Sequence, residues 1–172
     1  MTKIRERAIE GIKAGDTFTV VRTFTEKDTY DYAEISHDYN PVHFDGRFSD
    51  IKGFSGPVCH GLLIGGMLTE IGGQIGMLAS GMSFRFRKPV YFGDTVTCVL
   101  TVKEVDERGR SKSRAVYTNQ DGETVLEAEL FGIIPGPEEQ EVLKAMVEEG
   151  DSTNKLHDQR SEVRGRRSEK SD

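Results

Sequence analysis

Two cysteines in 172 residues, Cys59 and Cys98, are too few and too irregularly spaced for a disulfide framework. Both sit in apolar stretches, so reduced structural thiols and a cytoplasmic setting are expected. No uninterrupted apolar run approaches the roughly 20 residues that a membrane-spanning helix needs. The first sixteen residues hold no apolar signal core, and Glu6 and Glu10 fit a mitochondrial presequence poorly. Positive charge is also short: 29 acidic residues against 23 basic ones leave a net charge of -6. That balance argues against nonspecific binding to nucleic acid or an anionic membrane, and any phosphate-bearing ligand must find a local basic patch. There is no internal repeat. What remains, 35% hydrophobic, suffices for one core of ordinary size, with the mean hydropathy of -0.50 partly set by a polar tail.

One stretch stands out, His37-Asp38-Tyr39-Asn40-Pro41-Val42-His43. Pro41 fixes its own φ and pushes Asn40 out of the helical region, so a helix running up to Asp38 must stop about there. The turn holds a carboxylate and an imidazole five residues apart, the usual equipment for moving protons near neutral pH, with room for a water between them. Asp38 or Asn40 could equally do no more than cap the turn. A second segment, Gly56-Pro57-Val58-Cys59-His60-Gly61, leads into an apolar, glycine-laced helix. A helix N-terminus presents free N–H donors to a developing negative oxygen.

Along the chain, residues 1–16 form a mixed-charge N-terminal arm, and Phe18, Val20 and Thr23-Phe24 mark a first strand. Thr25 and Asp28 make a capping-box start for a helix that carries Tyr32 and Ile35 inward. Phe44 to Gly53 is a short irregular or helical loop, where Phe48, Ile51 and Phe54 line a pocket or close the core. Ile64, Met67, Leu68, Ile71, Ile75 and Leu78 recur at three- and four-residue steps, the apolar face of a helix about five turns long. Six glycines in that region, each costing about 0.5–1 kcal/mol against alanine, require close approach by a sheet, a partner helix or a ligand. Strands follow: Ser83 to Tyr91, with Pro89 suggesting an edge or bulge; then Val96, Cys98, Leu100 and Val102 in strict alternation. Turns at Glu107-Arg108-Gly109 and Asp121-Gly122 precede a last strand from about Glu123 to Ile134. A long helix followed by a meander is α+β. Beyond Pro135, Glu138 to Glu149 can form a short helix with Val142, Leu143, Met146 and Val147 on one side, and residues 150–172 should be disordered.

The runs DYNPVHFD, GPVCHG and SFRFRKPVYFGD, in that order, make the chain from about residue 15 to 135 resemble the MaoC-like dehydratase and R-specific enoyl-CoA hydratase branch of the hot-dog fold. The resemblance implies an arm (1–16), a hot-dog domain (17–135) whose curved antiparallel sheet wraps one central helix, and a charged C-terminal helix and tail (136–172). It implies reversible hydration of trans-2-enoyl thioesters to (R)-3-hydroxyacyl thioesters, with Asp38 and His43 activating the water. The Gly61 N–H would hold the thioester oxygen and Asn40 the turn. Arg85, Arg87 and Lys88, the compact basic cluster, would meet the phosphates of coenzyme A or an acyl carrier protein, or serve solubility. His60 would be a neighbouring support or a packing residue, and His37 a surface neighbour. No metal is expected, since Cys59, His60 and His43 match no standard zinc spacing, and no cofactor beyond the coenzyme A or phosphopantetheine of the substrate. A homodimer or higher homo-oligomer is implied, with no nucleic-acid or membrane partner. Gly65-Gly66 stand where many relatives carry a serine. Two rivals stay open: a hot-dog thioesterase, for which Glu70 is the carboxylate on the central helix, and a noncatalytic acyl-thioester-binding subunit.

Overall fold

The computed structural model describes residues 2–152 and residue 154. The N-terminal arm begins with a helix, α1 (Lys3–Glu10), which strand β1 (Thr17–Thr23) follows. The capping box at Thr25 and Asp28 forms with both halves closed and starts α2 (Glu26–Ser36). Thr29 and Ala33, not Ile35, supply the buried face of α2; Ile35 is 83% exposed, because the buried stripe runs through the i, i+4 pair. His37 ends α2 in the left-handed region at φ 57°. A single tight turn at Pro41–His43 and α3 (Gly46–Ile51) lead to the central helix.

That helix comes in two pieces, α4 (Gly61–Gly65) and α5 (Met67–Ile75). Ile64, Met67, Leu68, Ile71 and Ile75 are all buried, as their spacing predicts. The break has a local cause. Tyr117 donates its hydroxyl to the Gly65 carbonyl at 3.0 Å, while the Thr69 N–H turns to Gly66 instead, tightening the turn. Gly76 closes α5 at φ 80°, so Leu78 does not continue the helix. It opens β2 (Leu78–Phe86) and is 71% exposed.

The remaining strands are β3 (Thr95–Val105), β4 (Arg110–Thr118) and β5 (Thr124–Ile133), joined at the two turns read from Gly109 and Gly122, both at positive φ. The five strands pair antiparallel in the order β1-β3-β4-β5-β2, which leaves β1 and β2 at the edges. Val96, Cys98, Leu100 and Val102 of β3 face inward and share one core with the central helix. The expected sheet around a central helix is therefore what the chain builds. Pro89 lies just past the end of β2, where no ladder bond is asked of it.

The arm is more than an appendage. Ala8 and Ile12 are buried in the main core, and Arg5 pairs with Asp151 at 3.7 Å, both side chains buried. Helix α6 (Pro137–Glu148) docks through Leu143, while Val142 faces outward. Most of the expected disordered tail, residues 153 and 155–172, lies outside the described residues. Among the described residues no helix is long and apolar enough to cross a membrane.

Candidate active site

Asn40 stands at φ -58°, ψ 125°, the extended geometry that a following proline imposes. Its side chain accepts from the Val42 N–H at 3.2 Å and caps the turn that carries His43. Asp38 uses Oδ1 to accept the Asn40 N–H, also at 3.2 Å. With Oδ1 anchored, Oδ2 is left 3.9 Å from His43 Nε2. That gap exceeds a hydrogen bond, and one water oxygen can reach both groups.

His43 is itself buried. Its Nδ1 lies 2.7 Å from the Val58 carbonyl, which can only accept, so Nδ1 carries the proton and Nε2 presents a lone pair toward Asp38. Burial lowers the His43 pKa below its ordinary 6.5; the Val58 carbonyl opposes that, His60 adds to it, and the Asp38 charge opposes it. The neutral imidazole therefore prevails at neutral pH. A base with an open lone pair beside an anion that is half exposed can take a proton from water and give it back.

Val58 bonds back to the Val42 carbonyl at 3.2 Å, and Cys59 to Val90 at 2.8 Å, which sets Gly61 beside the histidine. His43 and Gly61 line one cavity of about 350 Å³ with Phe54, Cys59, Ile64, Phe86, Val125 and Leu126 among its apolar walls. Gly61 is the first residue of α4, where backbone N–H groups precede the first intrahelical bond. A Cβ at Gly61 would stand 2.6 Å from the Phe86 ring, and one at Gly65 2.9 Å from Phe84. Close approach by β2 thus accounts for two of the six glycines. Gly72 and Gly73 meet nothing within 4 Å.

The family model of the MaoC like domain matches residues 11–124, a span holding every residue of this cavity up to Val90. The chain belongs to the MaoC-like domain family. It is 32% identical over 130 residues to the mitochondrial 3-hydroxyacyl-[acyl-carrier-protein] dehydratase of Arabidopsis thaliana, covering 72% of this chain and 78% of that protein. Identity to the (R)-specific enoyl-CoA hydratase of Rhodospirillum rubrum is 28% over 130 residues, covering 73% and 90%. Among solved structures, the (R)-hydratase from A. caviae superposes with a TM-score of 0.68 at 25% identity, over 73% of this chain and 99% of that one. Helices α1 and α6 lie outside the matched span of this MaoC-like chain.

The basic cluster divides. Arg87 and Lys88 line the cavity, paired with Glu127 and Glu123 respectively. Arg85 does not; it lies in a neighbouring cleft with Ser83, Arg114 and Glu129, which Arg87 also lines. Of the three loop candidates, Phe54 lines the cavity, whereas Ile51 points to solvent. Glu70 is ion-paired with Arg22 at 2.6 Å and lines a different cleft, beneath α1 and β1. His60 lies closer to the dyad than its place in the sequence suggests. It stacks on His43 with ring centroids 3.8 Å apart, and its Nε2 lies 2.9 Å from the Asp38 carbonyl. Asp38, His43 and His60 bring ligand-type atoms within 4.8 Å of one another. Nothing in the spacing of His60 from Asp38 announces that contact; only the fold closes it.

Proposed function

We propose that this protein hydrates trans-2-enoyl thioesters to (R)-3-hydroxyacyl thioesters, and dehydrates them in reverse, using Asp38 and His43. The carrying observation is the 3.9 Å separation of Asp38 Oδ2 and His43 Nε2 beside an apolar cavity that Gly61 enters. One water sits between the two groups. As its oxygen bonds to C3 of the enoyl group, its proton passes to the dyad, and the C2–C3 π electrons move toward the thioester. The Gly61 N–H holds the enolate-like oxygen, and a proton returned from the dyad to C2 completes the addition. Positioned acid–base groups contribute about 10²–10⁴-fold and one oxyanion donor about 10²–10³-fold, so the pair of devices together reaches an enzymatic rate. Asn40 keeps the turn.

The substrate carries coenzyme A or the phosphopantetheine of a carrier protein, and its acyl chain enters the apolar cavity. Arg87 and Lys88 stand at this cavity to meet the phosphates. Their exposed pairs with Glu127 and Glu123 are weak, about 0–1 kcal/mol each, and exchange readily for phosphate. Arg85 is placed for a neighbouring surface of the carrier rather than for the cavity. The thioesterase reading is disfavoured, since Glu70 is bound to Arg22 and faces another cleft. Two buried, free thiols suit a reducing compartment such as the cytoplasm. The unpaired edge of β2 and its exposed Leu78 and Phe86 suit a homodimer with a continuous sheet.

Crotonyl-CoA tests the reading. Loss of the conjugated enoyl absorbance without release of free thiol is expected, with Asp38→Asn lowering kcat by at least ~10²-fold. Thiol release would instead mark a thioesterase, and no turnover of short, long or carrier-bound enoyl substrates would mark a noncatalytic subunit.

A further inference from the structure

His60 is 1% exposed and occupies the N-cap position of α4, yet its side chain makes no capping bond. The ring is turned the other way. Its Nε2 reaches back across the fold to the carbonyl of Asp38 at 2.9 Å, and because a carbonyl only accepts, Nε2 must carry the hydrogen. Nδ1 then bears the lone pair, and it is buried with no hydrogen-bond partner. A buried polar atom left unmatched is unfavourable by about 1–3 kcal/mol, and it is tolerated here at a ring whose other nitrogen holds the residue bearing the site's carboxylate. The flat face of the same ring lies on His43 at 3.8 Å and 29°, with Tyr32 at 5.0 Å and Phe44 at 5.9 Å closing in on it.

We propose that His60 is a positioning residue: its hydrogen bond fixes the Asp38 main chain against the His43 ring, so that one water is held between their reacting atoms. The proposal rests on the hydratase reading of the site. His60 does not reach the reacting atoms itself, since its Nε2 is occupied at the Asp38 carbonyl and stands 4.0 Å from Oδ2. It also precedes Gly61 directly, so one rigid side chain ties the turn, the imidazole and the start of the central helix together. The charged and titratable groups facing it are Asp38 and His43, with the Tyr32 ring alongside.

Two substitutions separate the hydrogen bond from simple packing. His60→Phe keeps a flat buried ring and loses the donor; His60→Gln loses the ring and keeps an amide N–H at the position of Nε2. With crotonyl-CoA, His60→Phe is expected to lower kcat by about 10²-fold with KM little changed, the size of effect that a small misplacement of reacting groups produces. His60→Gln should recover most of that loss. Phe at wild-type rate, or Gln no better than Phe, would overturn the proposal in favour of a packing role. A second readout needs no turnover: long-range ¹⁵N–¹H correlation of the imidazoles should show His60 protonated at Nε2 and His43 at Nδ1, with the His43 signals moved by His60→Phe. His60 found as the Nδ1–H tautomer, or His43 signals unmoved, would refute the positioning role. Failure of the wild type to hydrate short, long or carrier-bound enoyl thioesters would refute the hydratase reading alone, leaving the spectrum to decide the contact.

Discussion

At the scale of single residues, the proposed hydration depends on His43 being neutral when water arrives. Burial, the largest influence on it, lowers its pKa from 6.5, so the imidazole protonates only as the pH falls below the ordinary histidine range. The acid limb of kcat/KM is therefore expected below pH 6.5, and an acid limb above that value would show that the base is another group. Stability follows the same sign. A histidine whose folded pKa is depressed contributes stability above its unfolded pKa, and that contribution is lost as the pH falls through the folded value. Asp38 acts in the opposite direction: its charge raises the His43 pKa, so Asp38→Asn should lower the His43 titration midpoint further when followed by NMR.

At the scale of elements, the central helix is interrupted by a contact from the sheet. The Tyr117 hydroxyl comes from β4, fully buried, and takes the carbonyl of Gly65 that would otherwise bond along the helix. Tyr117→Phe removes that donor while keeping the ring, leaving a buried carbonyl unmatched. An expected loss of about 1–3 kcal/mol in urea unfolding follows, without collapse of the fold. A loss well under that range would mean the helix closes its own bond at Gly65. The glycines read the same way. Gly61 and Gly65 are small because Phe86 and Phe84 lie against them, whereas Gly76 is there for its positive φ. Helix α2 shows the limit of periodicity: Tyr32 does turn inward onto His60, 5.0 Å away, but Ile35 suits an inward face equally well and is left to solvent, while Thr29 and Ala33 are buried.

For the whole molecule, β2 is one of the two edge strands, and exposed apolar side chains stand along it. β2 pairs only with β5, and Leu78 at 71% and Phe86 at 57% exposure stand on it with Met82 near its middle. In the proposed two-fold dimer, residues at the middle of β2 meet their own copies across the axis. Met82→Glu would bring two carboxylates together there, an unfavourable cross-strand pair. Light scattering is expected to give a dimer mass for the wild type and a monomer mass for Met82→Glu; a monomeric wild type would sink the dimer. Helices α1 and α6, which lie outside the family span, are joined by the pair of Arg5 with Asp151 just beyond α6 and reach the core through Ala8 and Leu143.

The sequence by itself determined whatever depends on near neighbours. Pro41 forced the turn, Thr25 with Asp28 started α2, the β3 alternation named an inner face, and the spacing from Ile64 to Ile75 named the buried helix stripe. Asp38, His43 and Gly61 were legible for the same reason: two short segments, each with its own backbone geometry, carry them. Contacts between distant segments followed no such local rule. The stacking of His60 on His43, the docking of α1, and the Tyr117 bond that breaks the central helix at Gly66 all join parts far apart in the chain. Those were decided by the tertiary structure, where burial leaves each polar atom only the partners that the fold brings within reach.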